Sequence, residues 1–180
     1  MSQRPASGKR RVGIVVEFNE ESMNAVRWAA SSCLRREDTV ILLHVQHTDG
    51  LYGADWGDLS KRADLEDVQQ RNGLGISSML ASSRLVQPLL NAKIPYKIHV
   101  VRDYDRKERI CLEAERLRLN ALIIGMNSID ATRSLGSGAV SEYCATHCEC
   151  PVIIVRFEGV VDDAFKMQDQ LTTLYLDSKI

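Results

Sequence analysis

No stretch of this chain approaches the roughly 20 consecutive apolar residues that a membrane helix needs. The longest apolar runs are short segments such as 121–125 and 152–155, which excludes a transmembrane helix. The start, MSQRPASGKRR, carries charge with no apolar segment behind it, so it does not read as a secretory signal. An excess of charge is missing as well. Lys and Arg number 23 against 24 Asp and Glu, a net charge of -1, without the basic surplus that nonspecific nucleic-acid binding uses. A disulfide frame is also absent, since five cysteines are an odd number and three of them crowd into positions 144–150. That usage fits reduced thiols and a cytoplasmic location. The composition, 44% hydrophobic and 26% charged, excludes disorder and fibrous structure, and 180 residues suit one domain with appendages.

Three segments stand apart from that domain. Residues 1–10 are polar and basic with nothing to bury, and are expected to form a flexible tail. Residues 46–66, HTDGLYGADWGDLSKRADLED, are too long for an ordinary connection and are expected to be an insertion. Within it Trp56 either pins the loop to the body, the favoured reading, or folds over a ligand cleft. Residues 158–180 form an acidic C-terminal extension in which Phe165, Leu171 and Leu174 could make a weak amphipathic helix.

Between them, residues 11–157 alternate buried strands with helical patterns. VGIVV (12–16), TVILLHV (39–45), YKIHVV (96–101), ALIIG (121–125) and VIIV (152–155) are apolar, β-branched runs of the kind covered on both faces in a parallel sheet. Asn19 is a good N-cap ahead of Glu20 and Glu21, and Val26, Ala29, Ala30 and Cys33 continue a helix to about Arg36. Ile76, Met79, Leu80, Val86 and Leu90 mark a second helical pattern, kinked near Pro88; Ile110, Ala114 and Leu117 mark a third. Five strands alternating with helices predict an α/β sheet with right-handed crossovers.

In such a sheet ligands bind beyond the carboxyl ends of the strands. EFNEES after the first strand has no phosphate-turn glycine, so the dinucleotide fingerprint is absent. After the fourth strand comes GMNSIDATRSLGSGAVSEY (125–143), a Gly-rich passage into a helix with no G-K-[ST]. Gly136 and Gly138 can expose backbone N–H groups, Ser137 and Ser141 add hydroxyls, and the helix start favours an anion. Phosphate binding and a plain surface turn both fit these spacings.

These residues resemble the universal stress protein family, whose pattern is an Asp after strand one, then G-x-x-G, G-[ST]-V-S and C-P-V. The matching positions here are Glu17; Gly125 and Ser128; Gly138, Ala139, Val140 and Ser141; and Cys150-Pro151-Val152. The likeness runs from about Arg11 to Phe157 and is strongest to plant members of the phosphorylated type, in AVRWA (25–29), LYGADWG (51–57), residues 94–117 and SEYCATHCECPVIIVRF (141–157). The resemblance implies a Rossmann-like, adenine nucleotide alpha hydrolase-like three-layer sandwich with a five-stranded parallel sheet. It also implies a site for ATP or AMP, with or without Mg²⁺. Val45 would offer backbone contacts to adenine, Glu17 would face the ribose, and Gly125, Ser137, Gly138, Val140 and Ser141 would surround the phosphates, with Ile124, Ser128 and Ala139 also in the site. Ser128, Ala139 and Glu17 depart from the pattern, and they keep open a second function, a dimeric interaction protein with a degenerate site.

The remaining readings are local. The family likeness and the exposed apolar run 151–157 predict a homodimer paired through the last strand. Arg4 three residues before Ser7 presents a site that a basic-directed kinase could phosphorylate. Cys144, His147, Cys148 and Cys150 do not have zinc-knuckle spacing, and the cysteines are read as small buried hydrophobes able to form a disulfide on oxidation. His44 and His99 read as satisfied strand residues, Trp28 as a packing residue, and Glu113 with Glu115 as a solvated helix face. No nucleophile–base set is visible, so an enzyme is not expected, with weak ATP hydrolysis as the upper limit.

Overall fold

The structure, a computed structural model, describes residues 9–48, 74–127 and 140–157. Ser7, Trp56, the sequence 128–139 and the C-terminal extension lie outside the described residues. Five parallel strands form one sheet: β1 (Arg11–Val15), β2 (Thr39–His47), β3 (Tyr96–Asp103), β4 (Ala121–Asn127) and β5 (Val152–Phe157). Their order is β3-β2-β1-β4-β5, so the expected α/β Rossmann-like, three-layer arrangement is the fold.

Alternation along the strands builds the layers. Val12, Ile14, Val40, Leu42 and Ile123 project to one face, onto α1 (Glu20–Trp28), α2 (74–82) and α3 (Gln87–Asn91). Val15, Ile41, Leu43, Val45, Leu122 and Ile124 project to the other, onto α4 (Arg106–Arg116) and α5 (Val140–His147). Neighbouring residues of one strand thus feed different cores. This is why the strands read as continuous apolar runs and why no polar face marks them in the sequence.

The helices depart from the sequence reading at their ends. Asn19 does cap α1, its side chain accepting from the Ser22 N–H at 3.0 Å. The regular helix stops at Trp28, however, and a π-helical turn, Ala29–Cys33, replaces the expected run to Arg36. The Ser31 hydroxyl bonds back to the Trp28 carbonyl at 3.1 Å, a competition with the helix ladder that short polar side chains commonly set up. Trp28 itself is 36% exposed and stands at the surface instead of packing. The second pattern breaks rather than kinks. Ser82 and Ser83 bond back to carbonyls in α2, a 3-10 turn spans Arg84–Val86, and α3 starts afresh with Pro88 in its first turn, where proline's missing N–H costs nothing.

Arg10, placed in the flexible tail by the sequence reading, is anchored. Its guanidinium grips Asp38 at 3.0 and 2.6 Å and donates to the Cys33 carbonyl at 2.8 Å. Asp38 is buried and also accepts from the Arg35 N–H, so this pair closes the turn between α1 and β2.

Candidate functional site

The chain leaves β1 for β2 and β3 on one side and returns to β4 and β5 on the other, which makes the carboxyl ends beside β1 the switch point of the sheet. A cleft of about 320 Å³ opens there, lined by Glu17, Phe18, Asn19, His44, Val45, Gln46, His47 and Arg106.

Local bonds fix its walls. The Glu17 N–H donates to the Ser22 hydroxyl at 2.8 Å, and Ser22 is itself held by Asn19, so the first turn of α1 clamps the residue that follows β1. The Glu17 carboxylate forms an ion pair with the Arg106 guanidinium. Arg106 is the first residue of α4, where Asp105 caps the helix by accepting from the N–H groups of Lys107 and Glu108. Such a cap stabilises a helix by about 1 kcal/mol and sets where Arg106 emerges. Burial lowers the Arg106 pKa from its ordinary value, yet a guanidinium remains charged. Its Nε is buried with no partner among the described residues.

The opposite wall is β2. Its pairing with β1 ends at Val15 opposite Leu43, and the Leu43 carbonyl accepts from the Val16 N–H at 2.9 Å. Main-chain groups two residues on face the same way in a strand, so those of Val45 point to the side where β1 no longer pairs. His44 is satisfied as expected: its Nδ1 bonds the Val16 carbonyl at 2.9 Å, and Phe18 packs edge-on against its ring at 5.9 Å. Burial lowers the His44 pKa, with the Val16 bond opposing it. The ring is therefore neutral near pH 7, with Nδ1 the donor and Nε2 an acceptor. Gln46 accepts from Arg102 Nε at 2.8 Å.

The expected site residues fall into three groups. Glu17 and Val45 share the cleft. Ile124 lies in the core beneath α4 and α5, Val140 and the buried Ser141 open α5, and Gly125 lies under α1, where an added Cβ would run into the Glu21 carbonyl. Helix-to-strand packing alone thus accounts for a glycine at 125. Ser128, Ser137, Gly138 and Ala139 lie outside the described residues. Arg106, His44 and Gln46 were not among the expected site residues. A helix starting beside a neighbouring strand's carboxyl end is the signal that points to Arg106, because that end adjoins the switch point.

Glu113 is not on a solvated face. It is 1% exposed and meets His99 Nε2 at 2.8 Å, Arg109 at 2.9 Å and Arg116 at 2.9 Å. His99 is satisfied by this contact. Among the described residues no helix is long and apolar enough to cross a membrane.

A doubly wound α/β module with a polar cleft at its switch point is a class that serves many functions. Residues 9–156 match the universal stress protein family, and the chain belongs to that family. It is 43% identical over 161 residues to universal stress protein PHOS32 of Arabidopsis thaliana, covering 84% of this chain and 66% of that one. To PHOS34 of the same plant it is 41% identical over 168 residues, covering 84% and 64%. The chain thus spans just under two thirds of the length of these curated relatives. A solved universal stress protein family protein from Arabidopsis thaliana with AMP bound shares the fold, at 21% identity and a TM-score of 0.53, covering 83% of this chain and 93% of that one.

Proposed function

We propose that this chain binds an adenine nucleotide, ATP or AMP, in the cleft between the ends of β1 and β2 and serves as a nucleotide-responsive module in stress response or signalling. The observation that carries this reading is the Glu17–Arg106 pair facing the open main chain of Val45. Main-chain groups at a strand end can read the edge of a base, and a carboxylate can accept from ribose hydroxyls. Arg106 neutralises that carboxylate, so an anionic ligand meets no net repulsion. ATP-bound Mg²⁺ would be held by the phosphates; the described lining supplies only Glu17 as an acidic group. We read the cleft as a binding site, with at most slow ATP hydrolysis.

Calorimetry and thermal-shift titration to millimolar ATP and AMP test this. Saturable binding is expected, and Arg106→Ala should weaken it about tenfold, the equivalent of 1.4 kcal/mol, more for ATP than for adenosine. Absence of both heat and thermal shift for the native chain would refute the proposal.

A second reading rests on the same ion pair: Glu17 already has a partner, as a degenerate site would, and β5 is a sheet edge. In either reading we infer a homodimer through residues 151–157 in the cytoplasm. Light scattering at tens of micromolar, on the order of concentrations where standard interfaces persist, should give twice the chain mass; a monomer mass would refute pairing. Phosphorylation of Ser7 by a basic-directed kinase remains a proposal independent of the cleft.

A further inference from the structure

On the opposite side of the sheet from α1, three thiols from distant parts of the chain converge. The Sγ atoms of Cys111 on α4, Cys144 on α5 and Cys148 just after it all lie within 4.8 Å of one another. Cys111 is 37 residues from Cys148, and their sulfurs are 2.8 Å apart. Cys144 is fully buried, and the other two are half-buried. The Cys148 N–H bonds the Cys144 carbonyl at 3.0 Å, so a last helical turn holds these two on one face. His147 is not part of the group. Its ring stacks on Tyr143 at 4.0 Å and its Nδ1 bonds the Tyr143 carbonyl. The cluster is therefore Cys111, Cys144 and Cys148, a set no local spacing announces.

We propose that Cys111, Cys144 and Cys148 form a binding site for a thiophilic d¹⁰ cation of the Zn(II) class. Three sulfurs around one such ion, each about 2.3 Å from it, stand about 3.8 Å apart in tetrahedral geometry. The observed spread brackets that separation, and opening the Cys111–Cys148 contact by about 1 Å reaches it. Binding exchanges protons for metal: each thiol gives up its proton to solvent as its sulfur donates an electron pair, so three thiols and one Zn(II) yield a tris-thiolate of charge -1 and three protons. The half-buried side, at Cys111 and Cys148, lets water complete the fourth position.

The geometry favours a metal over a disulfide. A disulfide joins only two sulfurs and would leave Cys144 without a role, whereas one metal ion uses all three thiols that converge here.

The test uses the full chain purified under argon with a phosphine reductant, titrated with Zn(II) in competition with a chromophoric chelator. Cd(II) gives a parallel readout through its thiolate charge-transfer absorption. One ion per chain is expected, with Cys144→Ala and Cys148→Ser each weakening uptake by more than about tenfold, the least that loss of even an outer partner of a metal ligand costs. Cys33→Ser, outside the cluster, should leave it unchanged. Should the buried Cys144→Ala variant fail to fold, the half-buried Cys148→Ser carries the same comparison. No uptake by the native chain, or uptake equal in native and Cys148→Ser chains, would each overturn the proposal.

Discussion

Gly125→Ala is expected to destabilise the protein by about 3 kcal/mol, the upper part of the range for overpacking a close-packed interior. The added Cβ would meet the carbonyl oxygen and carbon of Glu21 before any side chain. Backbone cannot rotate aside as a side chain does, and this backbone is the first turn of α1, which is tied to Glu17 through Ser22. Relief requires α1 to lift from β4 and to release part of the core around Ala25 and Val26. For a domain of this size a melting point lower by roughly 6–12 °C follows, measurable by circular dichroism. Two comparisons isolate the cause. At Gly13 the obstacle is the Leu119 side chain, which can repack at smaller cost. At Gly75 nothing lies within 4 Å, so alanine there should leave stability unchanged or raise it by less than about 1 kcal/mol. A Gly125→Ala chain as stable as Gly75→Ala would show that α1 does not sit against β4 as described. The substitution also separates two reasons for a glycine at this position. Nucleotide affinity lost in step with stability assigns Gly125 to packing, whereas affinity lost in a fully folded chain assigns it to the ligand.

The strands were legible because burial on both faces leaves one signature, a short β-branched run, and all five runs are strands. Helix ends were less so. Ser31, Ser82 and Ser83 bond back to carbonyls within their own turns, a choice between helix and turn that apolar periodicity does not record. Part of the cleft was readable, since Glu17 follows strand one and Val45 lies near the carboxyl end of strand two. Arg106 was not, because its role depends on β3 lying beside β2, and that comes from strand order, not from any motif. The thiol cluster shows the same limit. Cys144 and Cys148 are visible as a helical pair, but Cys111 joins them only through the packing of α4 on α5. Glu113 did leave a trace. With Ile110 and Ala114 it shares the i, i+3, i+4 face that α4 buries, and a carboxylate on such a face needs a cation opposite it.

Glu113→Gln tests that buried group directly. Removing one partner of a buried ion pair typically costs 3–5 kcal/mol, but Arg109 and Arg116 are 33% and 63% exposed and can turn to water. The expected loss is therefore about 2 kcal/mol at neutral pH. An ionised carboxylate only accepts, so His99 presents its Nε2–H to Glu113; the glutamine amide can replace at most part of this set. The pH dependence follows from the carboxyl group's environment. Burial pushes the Glu113 pKa up, but the hydrogen bonds from His99 and Arg116 and the Arg116 charge outweigh it, leaving it lowered. A pKa lower in the folded than in the unfolded chain contributes stability that is fully present above the unfolded value, about 4.3 for glutamate. That contribution is lost as pH falls through the folded value. The stability gap between native and Glu113→Gln chains should therefore be constant near neutrality and close on the acid side of about pH 4.3, where both side chains are uncharged. Paired urea titrations across that range measure it. A gap that persists undiminished in acid would place the loss in shape or packing, and would remove the ionised Glu113 from what holds α4 to β3.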